Sequence, residues 1–176
     1  GNSIIKYKDD LIEFINKNKP RVLSLNFNKI INQSYIDYYI LSNQEKIIID
    51  FKNYYSTKKK IIIPKSRFLK IFPNKTYKKN FLDYGLKISS NNKLSLDKYF
   101  CTIPSNIVLF YALSLAIIGN AKNIYLAGFD GYGSDDPREI EINKNLNSLS
   151  QNLGNKLTTI TPSSYNIQKS SLYAHI

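Results

Sequence analysis

The chain has 176 residues, of which 43% are hydrophobic and 13% aromatic, enough for one domain with a hydrophobic core. No run approaches the roughly 18 uninterrupted apolar residues that a membrane-spanning helix requires, and no basic-then-apolar leader is found, so we expect neither a membrane span nor secretion. The single cysteine, Cys101, cannot form an internal disulfide, which fits a reducing, cytoplasmic compartment.

The net charge of +12 comes almost entirely from lysine, because only Arg21, Arg67 and Arg138 are arginines. Specific recognition of nucleic acid usually depends on arginine, whose planar fork matches phosphates and base edges. The composition therefore disfavours nucleic acid as the partner. A positive field of this size still attracts small anionic ligands, such as nucleotides or sugars that carry a phosphate or carboxylate.

The chain begins with a predicted helix over residues 9–18, which Lys19 and Pro20 end. A doubly wound α/β domain normally begins with a strand, so the first strand of this one is predicted to be missing. Two interpretations of Gly1-Asn2-Ser3 stay open: a cloning remnant, or the tail of a glycine loop whose strand lies outside the chain. Under both interpretations we expect residues 1–176 to form a single domain of a longer polypeptide.

The middle of the chain reads as short strands separated by one helix, over residues 44–55, and by a loop-like stretch over residues 64–80. The lysine triplet at residues 58–60 is interpreted as the solvated start of a strand, with an anion clamp as the alternative. The strands predicted over residues 83–88 and 98–103 are expected to pair as a hairpin around a turn at residues 89–92. The predicted strands are residues 21–27, 36–42, 61–63, 83–88 and 98–103.

The segment on which the fold prediction depends runs from residue 105 to residue 138. A helix that is apolar nearly all round, with Ser105 as its expected N-cap, ends at Gly119-Asn120 and leads into a strand at residues 124–127. A glycine-containing loop, residues 128–134, then precedes a helix whose start at Asp136 has the pattern of a capping box. With a last strand at residues 156–161, the order predicts a Rossmann-like three-layer α/β sandwich with a mostly parallel sheet.

In parallel α/β sheets, ligands bind beyond the carboxyl ends of the strands, where this chain places glycines and polar side chains. The loop glycines give backbone N–H groups access to an anion, although a simple tight turn is the alternative. Asp130 is suited to bind sugar hydroxyls or to orient loop amides, and Tyr132 to stack on a base or sugar face. The candidate ligand-binding residues are Asn26, Asn28, Ser42, Asn43, Ser105, Gly128, Asp130, Gly131, Tyr132 and Thr161.

Catalytic and metal-binding patterns are weak in this sequence. One histidine and one cysteine do not make a zinc site, and no acidic loop matches a calcium-binding hand, so no metal or cofactor is predicted. A Ser-His-Asp triad would need His175, which we interpret as part of a frayed tail rather than as a catalytic base. The polar residues are more typical of a pocket for a polyhydroxylated ligand than of an acid-base site.

Two resemblances bear on function. Residues 105–132, a buried helix followed by Lys-Asn-Ile-Tyr-Leu-Ala-Gly-Phe-Asp-Gly-Tyr, resemble the equivalent part of bacterial family-42 sialyltransferases, in which a similar helix leads into a strand that ends in an aspartate. Gly1-Asn2-Ser3 is similar to that family's glycine-asparagine phosphate loop, and residues 25–27 to its second strand. About half of the chain is covered. The family's catalytic histidine has no counterpart, because His175 comes too late, so the resemblance implies nucleotide-sugar binding rather than sialyl transfer.

Residues 122–138, together with Thr-Pro-Ser-Ser-Tyr-Asn at residues 161–166, resemble a domain appended to the C-terminus of aldolase-like barrel proteins of the 4-hydroxy-2-oxovalerate aldolase class. Such proteins occur among bacterial surface-polysaccharide genes. The resemblance implies an aldolase-like domain in the same polypeptide, and it assigns the lyase chemistry to that barrel. None of the barrel's metal-binding histidines or aspartates is recognisable here.

We therefore expect a sugar- or nucleotide-sugar-binding accessory domain of a bacterial glycan or nonulosonate biosynthesis protein. A glycosyltransferase whose general base is not histidine, and a structural or oligomerising domain that serves the barrel, are the alternatives. The sequence leaves open which ligand binds, whether this domain is catalytic, and whether it forms a homo-oligomer.

Overall fold

A computed structural model describes residues 1–89, 94–133, 135–153 and 156–176. The described residues form mixed α/β structure in which most strand pairs are parallel, as predicted, and this is compatible with a Rossmann-like three-layer sandwich. The helices are α1 (Ser3–Lys6), α2 (Lys8–Asn18), α3 (Gln44–Ile49), α4 (Phe51–Ser56), α5 (Lys65–Ile71), α6 (Val108–Ile118) and α7 (Pro137–Leu153).

The strands of the described residues form three sheets. They are β1 (Leu23–Leu25), β2 (Tyr38–Ile40), β3 (Lys60–Ile62), β4 (Phe81–Leu82), β5 (Gly85–Ile88), β6 (Ser95–Leu96), β7 (Phe100–Ile103), β8 (Ile124–Leu126), β9 (Leu157–Thr159) and β10 (Gln168–Lys169). The chain divides into two compact units: a terminal unit of residues 1–20 and 120–176, and a central unit of residues 21–119.

The central unit contains a parallel sheet in the order β1-β2-β3-β4, in which Leu25 pairs with Ile40 and Ile40 with Ile62. A second sheet has the order β5-β7-β6. Side chains of β2 and β3 are fully buried at Tyr39, Ile40 and Ile61, as expected for strands of a parallel sheet. Helix α6 is buried over six consecutive residues from Leu109 to Ser114, which confirms the prediction of an apolar helix covered on several sides.

The terminal unit contains the parallel sheet β10-β9-β8, which packs with α2 around a compact apolar cluster. Leu11 and Phe14, three positions apart on α2, contribute the helix side of that cluster, and Ile160 and Leu172 complete its buried centre. The predicted helix over residues 9–18 and strands over residues 124–127 and 156–161 are thereby confirmed within one or two residues at each end.

Four predictions for residues 44–107 are wrong. The helix predicted over residues 44–55 is two helices separated at Asp50, and the stretch predicted as a loop over residues 64–80 contains α5. Pro64, which follows the strand predicted over residues 61–63, precedes the first turn of α5, where a proline is well tolerated. Phe68 and Phe72 pack one turn apart on this helix, with ring centroids at 5.5 Å.

The other two errors concern residues 83–107. Strands β5 and β7 pair in parallel rather than as a hairpin, while the antiparallel partner of β7 is the intervening β6. Of the predicted turn at residues 89–92, residues 90–92 lie outside the described residues. Helix α6 begins at Val108 with Ile107 before it and no side-chain cap, so Ser105 is not its N-cap. Among the described residues, no helix combines the length and apolar character needed to cross a membrane.

Candidate functional site

Asn26, Ser42 and Asn43 lie at the carboxyl ends of β1 and β2, where the sequence placed them. Asn26 adopts a left-handed backbone conformation (φ 60°), and its N–H donates to the carbonyl oxygen of Ile40 at 3.0 Å. Asparagine tolerates this conformation better than most residues, so the chain turns sharply there without glycine. These residues, together with Arg67 and Asn106 described next, are called the carboxyl-edge site below.

Arg67 is the functional candidate that the sequence analysis missed. It lies in the first turn of α5, and its Nη1 donates to the carbonyl oxygen of Ser42 and, at 2.7 Å, to Oδ1 of Asn106. Burial lowers the pKa of its guanidinium, and it forms no ion pair with any carboxylate of the described residues. The sequence analysis predicted residues 64–80 as a loop, and so it did not place Arg67 on a helix at the edge of the sheet. The one signal that could have indicated Arg67 is the scarcity of arginine in this sequence.

Two polar atoms at this edge are buried without a hydrogen-bond partner among the described residues: Oδ1 of Asn26 and Oγ of Ser42. Ser42 as a whole is fully buried. An unpaired buried oxygen costs about 1–3 kcal/mol, so such atoms are uncommon and often mark places where a ligand or water completes the structure. In contrast, Asn43 accepts from the N–H of Lys46 at 3.1 Å and caps α3, and Asn28 accepts from the N–H of Ile30 at 2.7 Å.

The predicted glycine turn belongs to the terminal unit, and the carboxylate of Asp130 in this turn is hydrogen-bonded within the protein. Both of its carboxylate oxygens accept from Ser3, one from the N–H at 2.8 Å and the other from the hydroxyl. Ser3 begins α1, so Asp130 caps that helix from a distant part of the chain. The hydroxyl oxygen of Thr161 accepts from the N–H of Gly128 at 2.9 Å and lies 3.2 Å from the hydroxyl oxygen of Ser3. The turn is thus packed against residues 1–3 and the loop after β9.

The second half of the turn is held by Glu139, a buried carboxylate that was predicted to complete a capping box. Its Oε2 accepts from the N–H of Tyr132 at 2.8 Å, and its Oε1 from the hydroxyl of Ser164 at 2.6 Å. The capping-box prediction is therefore wrong for Glu139 and right for Asp136, which accepts from the N–H of Arg138 at 2.9 Å. The guanidinium of Arg138 lies 4.0 Å from the ring centroid of Tyr132.

These contacts favour the tight-turn interpretation of the glycines over the anion cradle. The N–H groups of Gly128 and Tyr132 are bonded within the protein, and Gly131, at φ 94°, leaves no room for a side chain because a Cβ there would lie 1.7 Å from Oγ of Ser164. Ser134, the last residue of the predicted loop, lies outside the described residues. The ten predicted ligand-binding residues divide equally between the two units.

His175 is packed against aromatic rings. The interpretation of the C-terminal residues as a frayed tail is therefore wrong. Its ring lies 5.0 Å from the ring of Tyr125 and 6.4 Å from that of Phe14, and its Nε2 is 3.0 Å from Oγ of Ser170. The aromatic surroundings and the absence of a described carboxylate partner indicate a packing role, since a catalytic imidazolium needs a group that stabilises its charge.

Among the residues that the structure describes, no three histidine, cysteine, aspartate or glutamate side chains come close enough to hold a metal ion together. Comparisons of the chain with protein-family models, with curated proteins and with solved structures each returned no match.

Proposed function

We propose that this protein is a sugar- or nucleotide-sugar-binding module of a longer bacterial protein of surface-glycan synthesis, and that the carboxyl-edge site holds the anionic part of the ligand. The observation that carries the proposal is Arg67, a half-buried guanidinium at the carboxyl edge of a parallel sheet with no described carboxylate to neutralise it. Carboxyl edges of such sheets are where ligands bind in doubly wound folds.

The chemistry of the edge suits a phosphate or carboxylate. A guanidinium presents a planar set of N–H donors that binds either group through two parallel hydrogen bonds, and each such charge-assisted bond is worth about 1.5–3 kcal/mol. Contacts to Ser42 and Asn106 fix the position of the Arg67 side chain before any ligand arrives, which reduces the entropy lost on binding.

Charge distribution also favours an anionic ligand in the central unit. Residues 21–119 hold 16 of the 25 lysines and arginines but five of the 13 acidic residues, which makes the unit +11 of the total +12. A surface of one sign raises the local concentration of oppositely charged small molecules and speeds their association.

The test is a thermal-shift and calorimetric panel of cytidine and uridine nucleotides, their sugar conjugates and the unphosphorylated nucleosides. We expect phosphate-bearing compounds to raise the melting temperature and nucleosides to leave it unchanged. Arg67→Gln should weaken binding at least tenfold, and Arg67→Lys should restore part of it, because lysine keeps the charge but loses the fork.

Arg21→Gln is the matched control, because Arg21 is an exposed arginine of the same unit whose partner is Asp37 at 3.4 Å. Binding by that variant should equal that of the parent protein. If no compound of the panel shifts the melting temperature, in this chain or in a longer natural protein that contains it, the proposal fails. An Arg67→Gln variant that binds as tightly as the parent would remove the carboxyl-edge site from it.

A further inference from the structure

A second group of cations lies at the opposite, amino edge of the β1–β4 sheet. Lys58 and Lys59 precede β3, Lys60 is its first residue, and Lys78 and Lys79 come shortly before β4. Because β3 and β4 are parallel neighbours with Ile61 opposite Phe81, the two lysine groups meet at one edge although about 20 residues separate them in the chain.

The five lysines are not equivalent. Lys59 donates to the carbonyl oxygen of Ile36 at 2.8 Å, and Lys78 donates to the carbonyl oxygen of Tyr55 while lying 4.0 Å from the Tyr55 ring centroid, so both have structural partners. None of the five forms an ion pair with a described carboxylate. Lys58 and Lys79 are exposed and have no described hydrogen bond or ion pair, and Lys58 is the one of these two that lines the cleft described next.

A cleft of about 610 Å³ lies directly beside Lys58 and Lys59, and it is lined by Phe27, Gln33, Asn53 and Thr57 among others. Gln33 Oε1 accepts from the Thr57 hydroxyl at 3.3 Å, and Asn53 Nδ2 donates to Asp50 at 3.4 Å. These bonds leave the Gln33 Nε2 donor and the Asn53 Oδ1 acceptor without described partners. The Phe27 ring is held in place by stacking on Tyr39 with ring centroids at 5.4 Å.

We infer that this cleft is a second binding site, for a monosaccharide-sized ligand that carries a carboxylate or a phosphate. The Gln33 donor and the Asn53 acceptor match the alternating donors and acceptors of a sugar, the Phe27 ring offers an apolar surface, and Lys58 supplies the cation. The volume is within the range of small-molecule sites, and the cleft borders the lysine-rich edge at the start of β3. Arg67 follows the other end of β3, so this inference does not depend on the carboxyl-edge site.

Ligand-observed NMR and calorimetry on the full chain test the inference with three probes of similar size: glucuronate, glucose 6-phosphate and glucose. We expect at least one of the two anionic sugars to bind and glucose to bind at least tenfold more weakly; the stronger anion then identifies carboxylate or phosphate as the recognised group. Lys58→Gln and Asn53→Ala should each lower that affinity about tenfold. The charge-matched Lys70→Gln, on α5, should leave it unchanged.

The outcome also separates this site from the carboxyl-edge site. Arg67→Gln should not alter the binding of the anionic sugar, and a loss in that variant with full binding by Lys58→Gln would overturn the inference while supporting the proposed function. Failure of both anionic sugars to bind at millimolar concentration would overturn it. So would equally tight binding of inorganic phosphate or a single-stranded oligonucleotide, because that would mean unspecific attraction of anions to the lysines.

Discussion

Asp130 and Ser3 are 127 residues apart in sequence, yet both carboxylate oxygens of Asp130 accept hydrogen bonds from Ser3. The aspartate that the sequence marked as a candidate sugar ligand thus holds the first turn of α1 against the loop after β8. Burial raises the pKa of this carboxyl, but the hydrogen bonds from Ser3 and the nearby amino group of Gly1 outweigh it, so that the pKa is lowered overall.

Replacing Asp130 should therefore affect stability and its pH dependence. We expect Asp130→Asn to lower the free energy of unfolding by about 2 kcal/mol near neutral pH, through the loss of charge-assisted hydrogen bonds. A carboxyl whose pKa is lowered in the folded state stabilises the fold above its unfolded pKa of about 4, and this stabilisation is lost as the pH falls through the folded value. Urea unfolding between pH 7 and pH 2 should show a smaller acid-induced loss in Asp130→Asn than in the parent protein. Parallel curves for the two proteins would contradict this role.

Glu139 is predicted to be a structural carboxylate of the terminal unit. It is buried and accepts from Tyr132, Ser164 and Asn143. Glu139→Ala leaves these donors without their acceptor, so we expect a loss of about 3 kcal/mol in the free energy of unfolding. Glu141→Ala, at an exposed position two residues on, is the control and should change it by less than about 0.5 kcal/mol. Equal losses in the two variants would show that the Glu139 contacts contribute little.

Two of the three glycines of the turn, Gly131 and Gly133, make a matched pair. A Cβ on Gly131 would lie 1.7 Å from Oγ of Ser164, and its φ of 94° is unfavourable for any other residue, whereas a Cβ on Gly133 would meet nothing within 4 Å. We expect Gly131→Ala to destabilise the protein by about 2–4 kcal/mol and Gly133→Ala to change stability by less than about 0.5 kcal/mol. Thermal unfolding of the two variants provides the measurement, and a neutral Gly131→Ala would mean that the turn relaxes.

Two buried tyrosines of the central unit should respond in opposite ways to loss of the hydroxyl. The Tyr111 hydroxyl donates to the carbonyl oxygen of Tyr84 at 2.5 Å, while the Tyr39 hydroxyl has no described partner. Tyr111→Phe should lower the free energy of unfolding by about 1–2 kcal/mol, and Tyr39→Phe should leave it unchanged or raise it by up to about 1 kcal/mol. The reverse order in chemical unfolding would show that Tyr39 has a partner in solution.

Elements with strong local patterns were the ones that the sequence predicted well. Helix α2 follows from apolar residues at helical spacing and a stop at Lys19, which is left-handed at φ 47°, and α6 follows from its uniform apolarity. The error at α5 has a local cause as well, because a proline that precedes a first helical turn was interpreted as the end of a strand followed by a loop. The parallel pairing of β5 with β7 was missed because proximity in sequence favoured a hairpin, and the short β6 that intervenes carries almost no signal.

By itself the sequence determined the fold class, the polar ends of β1 and β2, and the strongly basic character of the chain, because these depend on composition and on contacts within a few residues. The tertiary structure alone decided that Asp130 caps α1, that Arg67 donates to the carbonyl oxygen of Ser42, and that two distant groups of lysines meet at one edge of a sheet. Each of these depends on which strands and loops become neighbours. That choice is made by the burial of the whole core and leaves little trace in local residue patterns.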